Sequence, residues 1–418
     1  MSKRPMRLMA GLAAVAFLAS ACGSSSASSS TSTTVKANGT PIVVGEIVPM
    51  TGPNLALPAV GNGVTASIDA LNNAGGINGH PIKLIQCDSM GDAATEVQCA
   101  QSLVSSHVVA TLEDYTFASP AEDNQILAGI PRIGIQMFDT SDYANPANFD
   151  FTAGGLFTIA GEVDALINKG DKKLTVMLPD AATAGQLHLL LDPIVEAQGA
   201  KVVNYVLVSS ASGDYSQYVE QAEQNGAQGI ASALGNAQLV QFAETFNQLK
   251  PNIDVSTGIG SFTLNQLKQL TPFTEKAIFP SWTPGIDDVK NFPGLAQPLA
   301  QLTANQKGVT VNNLGTLELQ SWLAVHAFYE VVKAQTGTPT AASILAAFTA
   351  AKDIPMNGII KPWSPGVYVS AGTTYGSVFK NVSNVYQYVV KFNGTNTTTN
   401  TSTLFSTFAG LPGTTTGK

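Results

Sequence analysis

The sequence predicts an α/β protein of two lobes, each built on a parallel β-sheet with helices on both faces. From residue 41 onward, short apolar segments typical of buried strands alternate with amphipathic segments typical of helices. The alternation restarts near residue 155, so a second set of βαβ units follows the first. The chain has 418 residues, which is enough for two domains that each bury their own core.

A helix, a tight turn and a strand open the first lobe. Apolar residues recur at helical spacing from about Leu57 to Asn73, which predicts a helix there. Gly75 and Gly76 suit the left-handed backbone that commonly ends a helix, and Asn78-Gly79 is typical of a tight turn. The stretch is therefore predicted to be the first helix-to-strand junction of this lobe.

The other elements of the first lobe follow in order. One predicted helix has a marked start, with Ser119 at the cap, Pro120 in the first turn and Glu122 three residues after the cap. The predicted strands are PIVVGEIV, IKLIQC, VVATL and IPRIGIQMF, and the other predicted helix is AATEVQCAQSLVSS.

The second lobe repeats the pattern. A long, largely buried helix is then predicted to follow Leu314, because apolar residues share one helical face as far as Val332. Residues 395–418 are of low complexity, and we expect them to be disordered. The predicted helices of the second lobe are GLFTIAGEVDALINKG, AGQLHLLLDPIVEAQG, YSQYVEQAEQNG and AQLVQFAETFNQLK. Its predicted strands are KKLTVMLP, KVVNYVLVS, GIASALG and VSTGIGSF.

The N-terminus has the pattern of a secretory signal. A basic segment, MSKRPMR, precedes an apolar run of signal-peptide length, and small residues lead to Cys22. The motif LASAC resembles the lipobox of bacterial lipoproteins, in which the cysteine is lipidated, although Ala19 stands where leucine is usual. The alternative is an ordinary secretory signal with a chance cysteine. Residues 22–40 are rich in Ser and Thr and are expected to form a flexible tether.

The charge balance excludes some classes of partner. Removal of residues 1–21 takes away three basic residues and leaves 18 basic against 29 acidic ones, a net charge near −11. Such a balance argues against nucleic acid or an anionic membrane surface as the main partner.

Two cysteines remain beside Cys22. Cys87 ends a predicted strand and Cys99 lies in the following helix. In an oxidising extracytoplasmic compartment we expect a disulfide between them, and the alternative is two free thiols.

The chain resembles a known family along residues 42–394. GEIVPMTGP, followed by a helix that ends in NNAGGINGHPIKLIQCD, is similar to the opening of the branched-chain amino-acid-binding type of periplasmic binding protein. Further similar segments are KGDKKLTVMLPD, SGDYSQYVEQAEQNGAQGI and AAKDIPMNGIIKPWSPG. The resemblance implies a type I periplasmic binding protein fold, with two Rossmann-like lobes, three hinge crossovers and a ligand cleft between the lobes.

The same resemblance implies the domain boundaries. The signal peptide is expected at 1–21, the tether at 22–40, the N-terminal lobe at 41–155 and 286–360, and the C-terminal lobe at 156–285 and 361–394, with the tail at 395–418. The crossovers are expected near 154–158, 283–287 and 359–364, with Trp282 close to the second.

The expected cleft departs from the amino-acid binders of this family. Those proteins hold the ligand with small hydroxyl and backbone groups, whereas this chain has Tyr115 and Phe138 near those positions. In the second lobe, Ala184 before Gly185 replaces the usual tyrosine, and Gly260 or Ser261 falls where an acidic residue often binds the ligand ammonium. The expected ligand-binding residues are Thr51, Tyr115, Thr116, Gln136, Met137, Phe138, Asp180, Gly235, Asn236, Ser261 and Phe262.

The residue types of these loops suggest a ligand class. The loops contain no Lys or Arg, and they carry the carboxylates Glu113, Asp114, Asp139 and Asp180, for which solvation or capping is the alternative role. We therefore expect an amphipathic or aromatic ligand, uncharged or cationic, rather than an aliphatic α-amino acid. Packing under the loops is the alternative role for the aromatic and apolar residues, above all Phe117 and Met137.

No constellation typical of an enzyme is present. The sequence Gly61-x-Gly63-x-x-Ala66 lies 13 residues after Val48, too far from the strand for a dinucleotide fingerprint. The four histidines, His80, His107, His188 and His326, lack metal-ligand spacing. No cofactor, metal or catalytic residue is therefore predicted.

These features predict a monomeric, lipid-anchored binding protein outside the membrane. The expected partners are a small molecule and the permease and ATPase of an ABC importer. The alternative is a sensor of the same fold that reports occupancy to a signalling partner.

Overall fold

The first sheet contains five parallel strands in the order β2-β1-β3-β4-β5. The structure is a computed structural model that describes residues 37–52, 55–180, 187–209, 211–368 and 379–406. The strands are β1 Ile42–Val48, β2 Ile82–Asp88, β3 Thr111–Leu112, β4 Arg132–Ile133 and β5 Asn148–Phe149, and the helices between them are α1 Pro58–Asn73, α2 Ala93–Ser105, α3 Pro120–Ile126 and α4 Thr140–Ala144.

The second sheet contains four parallel strands in the order β7-β6-β8-β9. Its strands are β6 Lys173–Pro179, β7 Lys201–Val208, β8 Gly229–Ser232 and β9 Asp254–Thr257. The helices of this part are α5 Gly155–Lys169, α6 His188–Ala197, α7 Ser216–Ala222, α8 Asn236–Leu249, α9 Leu264–Gln269 and α10 Phe273–Lys276. Together the two sheets confirm the predicted α/β class.

The predicted junction after α1 is confirmed at the level of single hydrogen bonds. The backbone N–H of Gly76 donates to Leu71 O at 2.9 Å, and Gly75 and Gly76 have φ angles of +105° and +70°. Left-handed backbone of this kind closes a helix and favours glycine. Asn78 and Gly79 follow with φ angles of +52° and +83°, and the chain then turns into β2.

The helix start at Ser119 differs in detail from the prediction. Ser119 is at the N-cap of α3, but its hydroxyl donates to Ala93 O at 3.2 Å and makes no capping bond. Its backbone N–H donates instead to Glu96 Oε1 at 2.7 Å, and the N–H of Ala118 donates to the same oxygen at 3.1 Å. The Glu96 carboxylate on α2 therefore accepts hydrogen bonds from the backbone donors of this loop. The local sequence around Ser119 could not indicate so distant a partner.

Three further helices follow, of which two pack on α1 and the third packs on the second of them. They are α11 Ala296–Ala304, α12 Thr316–Val332 and α13 Ala341–Ala350. Helix α12 lies close against α1, since the Ser321 hydroxyl donates to Val60 O at 3.0 Å and a Cβ atom on Gly63 would lie 2.8 Å from the Ser321 Cβ. The indole of Trp322 donates to Gln301 on α11 at 2.6 Å. The long buried helix predicted after Leu314 is thus confirmed.

The expectation of disorder throughout the tail is wrong for its first part. A third sheet joins β10 Phe279–Ser281, β11 Tyr386–Phe392 and β12 Thr397–Ser406 in antiparallel order. The start of β12 is held from a distant segment, because the backbone N–H groups of Thr397 and Thr399 donate to Asp287 and Asp288 at 3.0 and 2.8 Å. The rest of the tail, 407–418, lies outside the described residues.

Val382, shortly before β11, lies beside the end of the first sheet. Trp363 pairs with Ile354, and Val382 forms a parallel bridge with Asp150, directly after β5 of the first sheet. Only with β11 does the chain join β10. The expected crossing at 359–364 stays a prediction.

A disulfide joins Cys87 at the end of β2 to Cys99 on α2, as predicted. It closes a loop with a sequence separation of 12 residues. A bond over so short a loop restricts the unfolded chain, and we expect its loss in a Cys87→Ser/Cys99→Ser variant to lower the free energy of unfolding by about 2–3 kcal/mol. Urea denaturation of the variant and of the oxidised parent measures this. An unchanged denaturation midpoint would contradict the expectation.

Candidate ligand-binding cleft

The loop after β1 is fixed by a carboxylate at the end of β2. Asp88 accepts the Thr51 hydroxyl at 2.6 Å and the backbone N–H groups of Thr51 and Met90 at 3.2 and 2.9 Å. Partial burial acts to raise the pKa of Asp88, but these hydrogen bonds outweigh it and hold the pKa below its ordinary value. Thr51 therefore positions the loop, and only the lone pairs of its hydroxyl remain for a ligand.

Three aromatic rings stand together at the carboxyl edge of the first sheet. Tyr115 and Phe117 follow β3 and Phe138 follows β4, and we call the three the aromatic wall. The ring centroids of Tyr115 and Phe138 are 6.1 Å apart, and those of Phe117 and Phe138 are also 6.1 Å apart. Tyr115 is buried, whereas Phe117 and Phe138 are half-buried and keep part of their surface open. Open α/β sheets bind ligands at this edge.

Glycines let the wall pack directly on backbone. A Cβ atom on Gly155, the first residue of α5, would collide with the ring of Phe138, and one on Gly91 would lie 3.0 Å from Phe117. The backbone N–H of Phe138 also donates to Asp142 at 3.0 Å. The rings are therefore held in place before any ligand arrives, which lowers the entropy lost on binding.

An apolar patch supports the wall. Tyr115 belongs to a hydrophobic cluster with Val48, Leu57 and Val60, and the partly buried Leu55 and Leu317 pack against it. The site prediction missed these two leucines. Leu317 is the second residue of α12, and an apolar residue in the first turn of a helix predicted to be buried was a usable signal in the sequence. Leu55 lies in a loop, where no periodic pattern marks it.

The loops after β8 and β9 face this patch with glycines. A Cβ atom on Gly235 would lie 3.4 Å from Leu55, and one on Gly260 would lie 3.3 Å from the Thr316 hydroxyl and 3.4 Å from Leu317. We call Gly235 and Gly260 the glycine face. The two sides of the cleft therefore approach within about one side chain of each other at these points.

The polar groups beside the wall are uncharged. Gln136 is 4% exposed, and its Nε2 has no hydrogen-bond partner in the described part of the chain. A buried amide donor without an acceptor is unfavourable, so a ligand oxygen or a water suits this position. Burial, and then the nearby carboxyls of Glu113 and Asp150, raise the pKa of Tyr115, which keeps its hydroxyl protonated.

Thr116, which was expected to bind the ligand, is hydrogen-bonded within the protein. Its hydroxyl accepts from Arg132 Nη2 at 2.8 Å, and Arg132 is fully buried with its Nε 2.8 Å from Asp114. Burial acts to lower the pKa of Arg132, but Asp114, Asp142 and Asp123 together raise it more, so the guanidinium stays charged. Both Thr116 and Arg132 are thus engaged within the first lobe.

The remaining predicted residues divide into two groups. Met137 is fully buried in the core, and Phe262 is 2% exposed with its ring 6.1 Å from that of Phe279, so neither side chain faces the cleft. Asn236 and Ser261 are half-buried and joined by a hydrogen bond from the Asn236 amide to Ser261 O, while Asp180 is exposed after β6. Ala184 and Gly185 lie outside the described residues.

The carboxylates expected near the ligand mostly serve the protein itself. Glu113 and Asp114 are completely buried, and Asp139 caps α4 by accepting from Ser141 N at 2.8 Å. The alternative role of capping is therefore correct for Asp139. The absence of Lys and Arg from these loops is the stronger indication of ligand charge.

Buried carboxyls make stability depend on pH. Burial raises the pKa values of Asp150, Asp164 and Glu318 to about 7 each. The folded state then binds more protons than the unfolded chain between about pH 4 and 7, so the free energy of unfolding falls as pH rises through this window. Each carboxyl contributes up to about 1.4 kcal/mol per pH unit to this fall in the free energy of unfolding.

We expect a lower urea midpoint at pH 7.5 than at pH 5.5. Asp164→Asn should reduce this difference, because asparagine does not titrate and the variant loses the contribution of the Asp164 carboxyl. This position suits the test because Asp164 and its partner Gln198 lie away from the aromatic wall. A midpoint that rises with pH over the same interval would contradict the assignment of raised pKa values.

The described residues contain neither a metal-binding cluster nor a helix able to cross a membrane. Among residues 37–406 with their undescribed gaps, no group of three or more His, Cys, Asp and Glu side chains could hold a metal ion. Over the same residues, no helix is long and apolar enough to cross a membrane.

Comparisons with known proteins agree with the geometry. The family model described as periplasmic binding protein matches residues 41–369. A comparison with curated protein sequences gives no significant match. Among solved structures, the chain is similar to an ABC-transporter solute-binding protein of R. palustris in complex with 4-hydroxybenzoate, with 17% identity, a TM-score of 0.69, and coverage of 88% of this chain and 97% of that one.

Two further structures illustrate the range of similar proteins. One is the branched-chain amino-acid transporter protein LivJ of Streptococcus pneumoniae with isoleucine, at 15% identity, a TM-score of 0.67, and coverage of 88% of this chain and 99% of that one. The other is a periplasmic substrate-binding protein of Ralstonia solanacearum, at 16% identity, a TM-score of 0.68, and coverage of 86% and 100%. Similarity at this level shows the shared type I fold. With the family match over residues 41–369, it follows that the chain belongs to the periplasmic binding protein family.

Proposed function

We propose that this protein is an extracytoplasmic receptor that captures a small molecule between its lobes and delivers it to the permease and ATPase of an ABC importer. The observation that carries the proposal is the aromatic wall opposite the glycine face, at the carboxyl ends of two parallel sheets. Closure of the lobes around a ligand by hinge motion gives the importer a bound form to recognise. The receptor acts as a monomer and needs no cofactor.

The ligand is an aromatic or amphipathic small molecule rather than an aliphatic α-amino acid. The aromatic wall offers ring faces and edges, and Gln136 offers an unpaired donor. Similar structures from R. palustris strains hold 4-hydroxybenzoate and 3,4-dihydroxybenzoic acid, which supports an aromatic ligand class. LivJ holds isoleucine on the same fold, so the decision rests on the side chains of this cleft.

The receptor is attached to the membrane through a lipid on Cys22. The lipobox-like LASAC motif and the Ser/Thr-rich residues 22–40 support this attachment. In cells that express the full chain, the parent protein should sediment with membranes and Cys22→Ser should be released or retained as unprocessed precursor. Equal membrane attachment of a processed Cys22→Ser protein would overturn the lipid anchor without affecting the ligand proposal.

A ligand panel tests the proposal directly. The melting temperature of the full chain should rise with aromatic alcohols, amides or amines, because a ligand at 100 times its dissociation constant adds about 2.7 kcal/mol to the free energy of unfolding. Aliphatic amino acids of similar size are the matched comparison. Stabilisation by leucine or glutamate alone would refute the proposed ligand class.

A further inference from the structure

A second cavity lies at the hinge, away from the aromatic wall. Its volume is about 220 Å³, and we call it the hinge pocket. Five of its twelve described lining residues are aromatic, and several of the rings are nearly buried in the protein around it. Its aromatic and cationic lining residues are Phe151, Trp282, Lys361, Trp363, Tyr386 and Tyr388.

The pocket draws its lining from each connection between the sheets. Phe151 follows β5 before the chain enters α5, Trp282 follows β10, and Tyr386 begins β11 after the last crossing. The aromatic wall is formed instead by residues after β3 and β4. Neither Tyr115 nor Phe138 lines the hinge pocket, so the two sites have separate walls.

Hydrogen bonds fix the walls of the pocket. The indole N–H of Trp363 donates to the Ser383 hydroxyl at 2.7 Å, and that hydroxyl donates to Asp150 O at 2.8 Å. The amide of Asn384 donates to Phe151 O at 2.8 Å. The rings of Phe151 and Trp363 meet edge to face with centroids 5.7 Å apart. These contacts preform the cavity, so a ligand need not open it.

Charge distinguishes this pocket from the cleft. Lys361 is exposed at the pocket, with its Nζ 4.8 Å from the centroid of the Tyr386 ring. None of the described lining residues is acidic. The cleft loops contain no Lys or Arg, and the nearby Arg132 is already paired with Asp114. A carboxylate is therefore better matched by the hinge pocket than by the cleft.

Size limits the ligand to about one ring. A dry apolar cavity of about 150 Å³ accepts benzene, whereas drug-sized ligands occupy about 300–1,000 Å³. The hinge pocket lies between these values. We propose that it is a second binding site, independent of the cleft ligand, for a single-ring aromatic carboxylate whose ring lies among Phe151, Trp363 and Tyr388 and whose charge pairs with Lys361.

Titration of the full chain with benzoate, followed by tryptophan fluorescence, tests this proposal. Trp282 and Trp363 line the pocket, while Trp322 stacks on His326 elsewhere. Lys361→Ala should weaken benzoate binding at least tenfold and leave binding of the neutral benzyl alcohol within twofold. Lys352→Ala, which removes another exposed lysine outside the pocket, should leave both unchanged.

A cleft variant separates this proposal from the proposed function. Phe138→Ala should leave the benzoate response intact, because Phe138 does not line the hinge pocket. Loss of the response in Phe138→Ala, with no effect of Lys361→Ala, would assign benzoate to the cleft and overturn the hinge site. A failure of benzoate to bind the parent chain would also overturn it, while the ligand panel for the cleft would stand unaffected.

Discussion

Removing a ring of the aromatic wall is expected to weaken ligand binding by about 10- to 100-fold. Phe138 is the best position for this test, because it contacts both Tyr115 and Phe117 and stays half-exposed. Aromatic side chains in desolvated sites commonly contribute 2 kcal/mol or more, which corresponds to about this range. Calorimetry of Phe138→Ala with the best aromatic ligand of the panel gives the change in dissociation constant.

A matched ring elsewhere provides the control. Tyr329 on α12 is also half-buried, but its ring contacts Lys333 at 4.6 Å and takes no part in the wall. Tyr329→Ala should leave the dissociation constant unchanged within about twofold. Equal affinities of Phe138→Ala and the parent protein would show that the wall does not contact the ligand.

Breaking the buried ion pair is expected to give the largest loss of stability. Arg132 and Asp114 are both completely buried, and Asp114 also accepts from Ile47 N at 2.9 Å and from the Thr111 hydroxyl at 2.5 Å. Asp114→Asn leaves the guanidinium buried without its counter-charge, which costs about 3–5 kcal/mol. Urea denaturation measures the change in the free energy of unfolding.

Two comparisons make this prediction specific. The exposed pair of Lys169 and Asp254 is 2.5 Å apart, and Asp254→Asn should change stability by less than about 1 kcal/mol because solvent screens the pair. Replacing both buried partners, as Asp114→Leu/Arg132→Met, should recover part of the loss. A cost below about 1 kcal/mol for Asp114→Asn would contradict the account of this core.

The sequence predicts best what depends on neighbouring residues. The junction after α1 follows from Gly75, Gly76 and Asn78-Gly79, whose backbone preferences act within a few residues. Strand and helix order follow from periodicity, and the disulfide from two cysteines at adjacent elements. These signals need no knowledge of distant contacts.

Features that depend on distant contacts were not predicted. The Thr-rich strand β12 has a composition typical of disorder, and its start is ordered by Asp287 and Asp288, more than 100 positions earlier. The direction of a loop side chain depends on the backbone alternation, so Met137 points into the core while the next residue, Phe138, joins the wall. Glu113 and Asp114 are both completely buried, and Asp114 pairs there with the distant Arg132.

Hydrogen exchange with the best ligand of the panel shows whether the ligand lies between the aromatic wall and the glycine face. Mass spectrometry of the full chain should show slower exchange, on ligand addition, in the loops at 115–118 and 136–140 and in those at 235–238 and 258–262. Protection confined to the hinge pocket at 360–367, with these loops unchanged, would contradict this placement of the ligand.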